Sequence, residues 1–138
     1  MTSSKKKPKR SQVVPLLIGP IICDVAVQDP SSGKWSLIGV FGNVNVTTFP
    51  TARPMTVFFR LSDAQGLYDV EVRFVRADDG VLIAKANAEA NVPDRFAQPE
   101  LGIPFPPLRL EKPGTYEFQV WVNDVFLGAN SLTVTQRK

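Results

Sequence analysis

Pro113-Gly114-Thr115-Tyr116-Glu117-Phe118-Gln119-Val120-Trp121-Val122 is the stretch on which the fold turns. From Tyr116 to Val122 the even positions carry Tyr116, Phe118, Val120 and Val122, and the odd ones carry Glu117, Gln119 and the exception, Trp121. Successive side chains of a strand point to opposite faces, so this alternation predicts a half-buried strand. The Pro-Gly pair ahead of it predicts a turn, because proline presets φ and glycine accepts positive φ.

Tyr116 follows that turn and stands two residues before a core position, which resembles the tyrosine corner of immunoglobulin-like sandwiches. Phe118 occupies the place of the cysteine in an antibody domain, so the disulfide-linked version of that fold is excluded. Downstream, Asn123-Asp124 predicts a hairpin turn, with Val122 opposite Val125 and Val120 opposite Leu127. Leu132 and Val134 would then fall on the wrong parity, which predicts a bulge near Gly128.

Upstream, Met55, Val57, Phe59 and Leu61 alternate with Thr56, Phe58, Arg60 and Ser62. After Asp63-Ala64-Gln65-Gly66, so do Tyr68, Val70, Val72 and Phe74; the two runs read as an antiparallel hairpin with one wet face. Val81–Glu89 reads as a further strand, although its alanines favour helix. The run Leu37–Phe41 within a strand Trp35–Val44 implies cover on both sides or a bend at Gly39. Ile21–Gln28 is the first predicted strand, and Phe49-Pro50 to Pro54 reads as a loop. Six prolines between residues 91 and 115 restrict that segment to an edge strand near Leu101–Phe105. Short strands with frequent turn signals and no helical stretch predict an all-β, antiparallel immunoglobulin-like β-sandwich of about seven to eight strands without a disulfide, with a closed barrel as the alternative.

A chain of 138 residues suits one domain. Cys23 is the single cysteine, which fits a reducing compartment, and there is no histidine. The commonest general base and metal ligand is therefore missing, and no catalytic residue, metal site or cofactor is expected. Of sixteen Lys and Arg, five (Lys5, Lys6, Lys7, Lys9 and Arg10) precede the first acid, Asp24, and the remaining eleven face thirteen Asp and Glu. Residues 1–12 thus read as a disordered basic tail on a single β-sandwich domain, 13–138. Residues 13–23, VVPLLIGPIIC, imitate an export signal, but Pro15, Gly19 and Pro20 break the helix such a signal forms. A cytoplasmic protein is expected.

Several motifs resemble those of a bacterial family of about this length known as a domain of unknown function with a sandwich fold. They are Ile22-Cys23-Asp24, Gly33-Lys34-x-Ser36-Leu37-Ile38-Gly39-Val40-Phe41, Phe49-Pro50, Leu61-Ser62-Asp63-x-x-Gly66-x-Tyr68 and Pro113-Gly114-x-Tyr116-x-Phe118-x-x-Trp121. The resemblance spans nearly the whole chain after residue 20, implies a bacterial cytoplasmic protein, and brings no catalytic residues.

Asp24 lies in an apolar strand and reads as a buried carboxylate in need of Arg60, Arg73 or a turn amide. Cys23 beside it reads as a core filler. Acids in turns, such as Asp63, Asp78 and Asp124, mimic backbone bonds and lack calcium-site spacing. The contact candidates are Trp121, Phe58 and Trp35, since large aromatics on polar faces anchor partners. Three functions are carried forward. The first is a non-enzymatic protein-interaction or scaffolding module, using an exposed aromatic sheet face or an edge strand. The second is a nucleic-acid or anionic-surface tether through the basic tail. The third is an exported envelope or carbohydrate-binding sandwich. A homo-oligomer is compatible with the first.

Overall fold

A computed structural model describes residues 9–137; the roles expected of Lys5, Lys6 and Lys7 fall outside them. Nine strands form two sheets: β1 (Leu16–Gln28), β2 (Trp35–Val40), β3 (Asn43–Val46), β4 (Thr51–Ser62), β5 (Gly66–Arg76), β6 (Leu82–Val92), β7 (Glu100–Leu110), β8 (Gly114–Val122) and β9 (Val125–Gln136). The order is β2-β1-β4-β7 in one sheet and β3-β9-β8-β5-β6 in the other. This is an immunoglobulin-like β-sandwich. Strands β9, β8 and β5 take the places of G, F and C, β6 extends that sheet, and β1-β4-β7 stands opposite. All pairs are antiparallel except β3 with β9.

The deciding stretch forms β8. Tyr116, Phe118, Val120 and Val122 are buried and the intervening residues are half-exposed. The Tyr116 hydroxyl donates to the Lys112 carbonyl at 2.6 Å, closing the corner over the Pro-Gly turn. Phe74 packs between Tyr116 and Phe118 at ring distances of 5.5 and 4.7 Å, and Phe105 of the opposite sheet meets Phe118 at 5.5 Å. Aromatic side chains from both sheets thus meet across the core, where large rings bury more area per residue than the aliphatic side chains around them.

The structure corrects several expectations. Strands β4 and β5 are not a hairpin: β4 pairs with β1 and β7, and β5 with β6 and β8. The Asp63–Gly66 turn carries the chain between sheets, so the two alternating apolar sets face one another across the core. The predicted strand Trp35–Val44 is two, separated at Phe41-Gly42, and Gly39 takes φ +70° within the first of them. Its apolar run is bent rather than covered, with Ile38 57% and Val40 61% exposed. The Phe49–Pro54 loop ends at Thr51, where β4 begins. The alanine-rich segment is a strand, since Ala84, Ala86, Ala88 and Ala90 oppose the core residues Phe74, Val72, Val70 and Tyr68. At the last hairpin Val122 does face Val125, but Val120 faces Gly128, because a bulge displaces Leu127. The shift buries Leu132 and Val134. Arg10 and Ser11, assigned to the tail, are held against β5: the Ser11 amide donates to the Leu67 carbonyl at 2.9 Å.

Candidate functional site

The outer face of the five-stranded sheet carries a fixed polar ladder around Trp121. Register places Trp121 in one row with Glu71 and Asn87, and Gln119 in the next with Arg73 and Lys85. The Arg73 guanidinium lies 4.1 Å from the centre of the Trp121 ring while its Nε donates to Glu71 at 2.8 Å. Lys85 reaches the same carboxylate at 3.5 Å. Burial alone would raise the Glu71 pKa, but the hydrogen bond and charge of Arg73, with help from Lys85, hold it below the ordinary glutamate value. Trp121 Nε1 donates to Gln119 Oε1 at 3.0 Å, and Gln119 Nε2 donates to Glu117 at 2.7 Å. The indole is therefore clamped on one side by a cation and tied at its nitrogen.

Phe126 completes the feature. It stands directly opposite Trp121 in the register of β8 and β9, with its ring 5.4 Å away and 49% exposed. Val125 next to it borders a depression shared with Val13 and Val14, and Leu16 and Ile18 border another with Leu127 and Ala129. These apolar residues lie along the edge where β1 meets β9, and Val125, opposite the buried Val122, is on the other face from Trp121 and Phe126. Aromatic rings left partly exposed beside one another mark contact sites. On the other side of Trp121 an open cleft of about 370 Å³ is lined by Asp69, Glu71, Glu89 and Asp124. Arg10 bridges Asp69 and Glu89 at 2.9 and 3.1 Å, so one basic residue of the expected tail is engaged with the domain; Lys9 is exposed.

The three aromatic candidates do not form one site. Trp35 and Phe58 lie on the four-stranded sheet with rings 5.5 Å apart, and Trp121 lies on the other. In hydrogen-bonding order Trp35 stands three strands from β7, which a flat sheet would separate by roughly 14 Å. Its ring nevertheless covers Gly102, where an added Cβ would meet it at 2.5 Å. The β1–β2 hairpin therefore folds back over its own sheet, and Trp35 and Phe58 cover each other.

Asp24 is a further correction. It is exposed rather than buried, and its partner is Arg53 at 3.0 Å. Cys23 is fully buried, and burial, then the Asp24 charge, push its thiol pKa up, the reverse of what activates a nucleophile. Among the described residues no group of three or more Cys, Asp or Glu is placed to hold a metal.

Two facing sheets, a tyrosine corner and an ordered aromatic outer face define an immunoglobulin-like sandwich compatible with binding or scaffolding. The chain belongs to a family of unknown function (DUF6941), whose sequence model matches residues 20–135. Among solved structures it is similar to the CARDB domain of a Pyrococcus furiosus protein, crystallised in complex with di-metal ions. That likeness covers 98% of this chain and 100% of the other at 14% identity, with a TM-score of 0.41. No curated protein matches.

Proposed function

We propose that this chain is a non-enzymatic protein-interaction module whose contact surface is the Trp121 face of the five-stranded sheet, extended by Phe126. It acts in a reducing compartment, which the bacterial cytoplasm supplies and the unpaired Cys23 fits. The observation that carries this reading is the half-exposed Phe126 ring seated beside Trp121. Aromatic and arginine side chains dominate interface energetics, and Trp121, Phe126 and Arg73 stand together here. Because Arg73 and Gln119 already hold the indole, a partner meeting it loses little side-chain entropy on binding.

A photo-crosslinking residue placed at Ala129, beside the patch, tests the reading in native lysate. A defined protein adduct is expected, insensitive to salt between about 50 and 300 mM because the contact is apolar. Trp121→Ala should weaken that partner's binding by roughly 2 kcal/mol or more, as at other buried aromatic anchors. Recovery of only nucleic acid or anionic membrane, at low salt and lost on deleting residues 1–12, would sink the proposal and favour the tether.

A further inference from the structure

The two sheets have four edges, and three of them are blunted. Strand β7 carries Pro104, Pro106 and Pro107, β3 has four residues, and β2 ends beside Gly39 in a left-handed conformation. Proline, shortness and irregular backbone are how sheet edges are kept from pairing. The fourth edge, β6, differs. It runs for 11 residues, contains no proline, and its pairing with β5 is regular from Ala84 to Val92. A long regular edge of this kind is either a liability or an interface.

Its sequence selects between partners. Two copies of one strand related by a two-fold axis pair antiparallel, so that residue numbers on opposing positions share a constant sum. An axis through Asn87 places Lys85 opposite Glu89 of the second copy and Glu89 opposite its Lys85. It also sets Ala86 against Ala88 and Ala84 against Ala90. The faces agree as well. Lys85, Asn87 and Glu89 oppose Arg73, Glu71 and Asp69 on the outer surface, whereas the four alanines oppose core residues of β5. Shifting the axis by one residue either way removes the charge match. Both charged side chains are free to reach across, at 53% and 67% exposure. Arg10 already approaches Glu89, and a carboxylate accepts several donors.

We infer that β6 is a self-association edge, on which a second copy of this chain pairs antiparallel about Asn87 to form one continuous ten-stranded sheet. Ala84, Ala86 and Ala88, only partly covered in the single chain, then gain inward neighbours on the second copy. The dimer places two Trp121 faces on one surface, so a partner with two docking sites would be held by both. This goes beyond the Trp121 reading and does not depend on it: Trp121→Ala should leave the dimer intact.

Sedimentation equilibrium of the full chain, with charge variants, tests the pairing and its register. Lys85→Glu gives an edge with two carboxylates, and Glu89→Lys one with two ammonium groups; each alone sets like charges opposite one another twice. Each should weaken self-association by roughly tenfold or more, since cross-strand charge pairs are worth a few tenths to one kcal/mol apiece. Mixing the two variants should restore a dimer, now strictly mixed. In parallel, Asn87→Cys should cross-link to itself on mild oxidation, because Cα atoms of opposing strand residues lie within disulfide range. Lys85→Cys should not, and the buried Cys23 does not compete. A monomeric parent chain at all concentrations would overturn the inference. So would a dimer indifferent to both charge variants and not captured through position 87.

Discussion

Tyr68 and Tyr116 are both fully buried, yet their hydroxyls do different work. That of Tyr116 closes a local loop, donating to a carbonyl four residues back. That of Tyr68 gathers distant chain: it accepts from the Gln65 amide at 2.9 Å, lies 3.2 Å from the Ser11 hydroxyl, and reaches the Val13 carbonyl at 2.9 Å. It is the point at which the segment leading into β1 is fastened. Removing it leaves the Gln65 donor and the Val13 acceptor unpaired near the core, at a cost of roughly 1–3 kcal/mol. Tyr68→Phe should therefore lose about that much in urea unfolding and speed amide exchange at Ser11. Tyr116→Phe should cost a similar amount while leaving Ser11 protected. If both variants left Ser11 equally protected, Tyr68 would not be the fastening. The two tyrosines also mark what a sequence can disclose. The corner is legible because its turn, tyrosine and core position sit within a few residues. The Tyr68 network joins groups 55 and 57 residues apart, and no local pattern announces it.

The same division holds for whole elements. The β8–β9 hairpin is readable because Asn123 and Asp124 tolerate the left-handed φ of 48° and 66° that its turn requires. They are not equivalent. The Asn123 side chain accepts from the Asp69 amide at 2.8 Å and donates to the Ser11 carbonyl at 3.0 Å, whereas Asp124 carries only its conformational strain. Asp124→Gly should accordingly stabilise the domain by about 0.5 kcal/mol, strain relief exceeding the added freedom of the unfolded chain. Asn123→Gly should destabilise it by about 1–2 kcal/mol through two lost hydrogen bonds. Equal effects in chemical denaturation would refute that distinction. Strand pairing was less readable. Alternation says which face of β4 or β5 is buried, but a strand beside its predecessor and one facing it across a core present the same parity. Hence the hairpin predicted for β4–β5 is a crossing between sheets. The site divides similarly. Trp121 stands out as an aromatic on a polar parity, and Phe126 follows from the same local turn, since setting Val122 opposite Val125 also sets Trp121 opposite Phe126; Arg73 and Glu71 reach the indole only through the long-range pairing of β5 with β8.

For the molecule as a whole, charge decides how stability follows pH. With no histidine, no side chain of ordinary pKa titrates between pH 5 and 8. The carboxylates that folding perturbs all move one way. Side-chain hydrogen bonds from Ser32 lower Asp29, those from Arg76 lower Asp79, and Arg73 with Lys85 lowers Glu71 against its own burial. A carboxylate whose folded pKa is depressed adds stability above its unfolded pKa of about 4, and that contribution disappears as pH falls through the folded value. Asp29 and Asp79 are exposed, so salt screens much of their share. Glu71, sheltered at 19% side-chain exposure among Arg73, Lys85 and the Trp121 ring, is less screened and also holds together the face proposed for binding. The urea midpoint should thus be level from pH 8 to 5 and fall below about pH 4, more steeply at low salt than at high. Glu71→Gln should lower the plateau and flatten the acid limb, because the neutral amide no longer gains from deprotonation. It should also free Arg73 from its anchor, changing the Trp121 fluorescence at neutral pH in the way that acid should change it in the parent chain. A loss of stability beginning between pH 8 and 5, or an acid limb unchanged by Glu71→Gln, would show that this ion-paired face is not what couples the fold to protons.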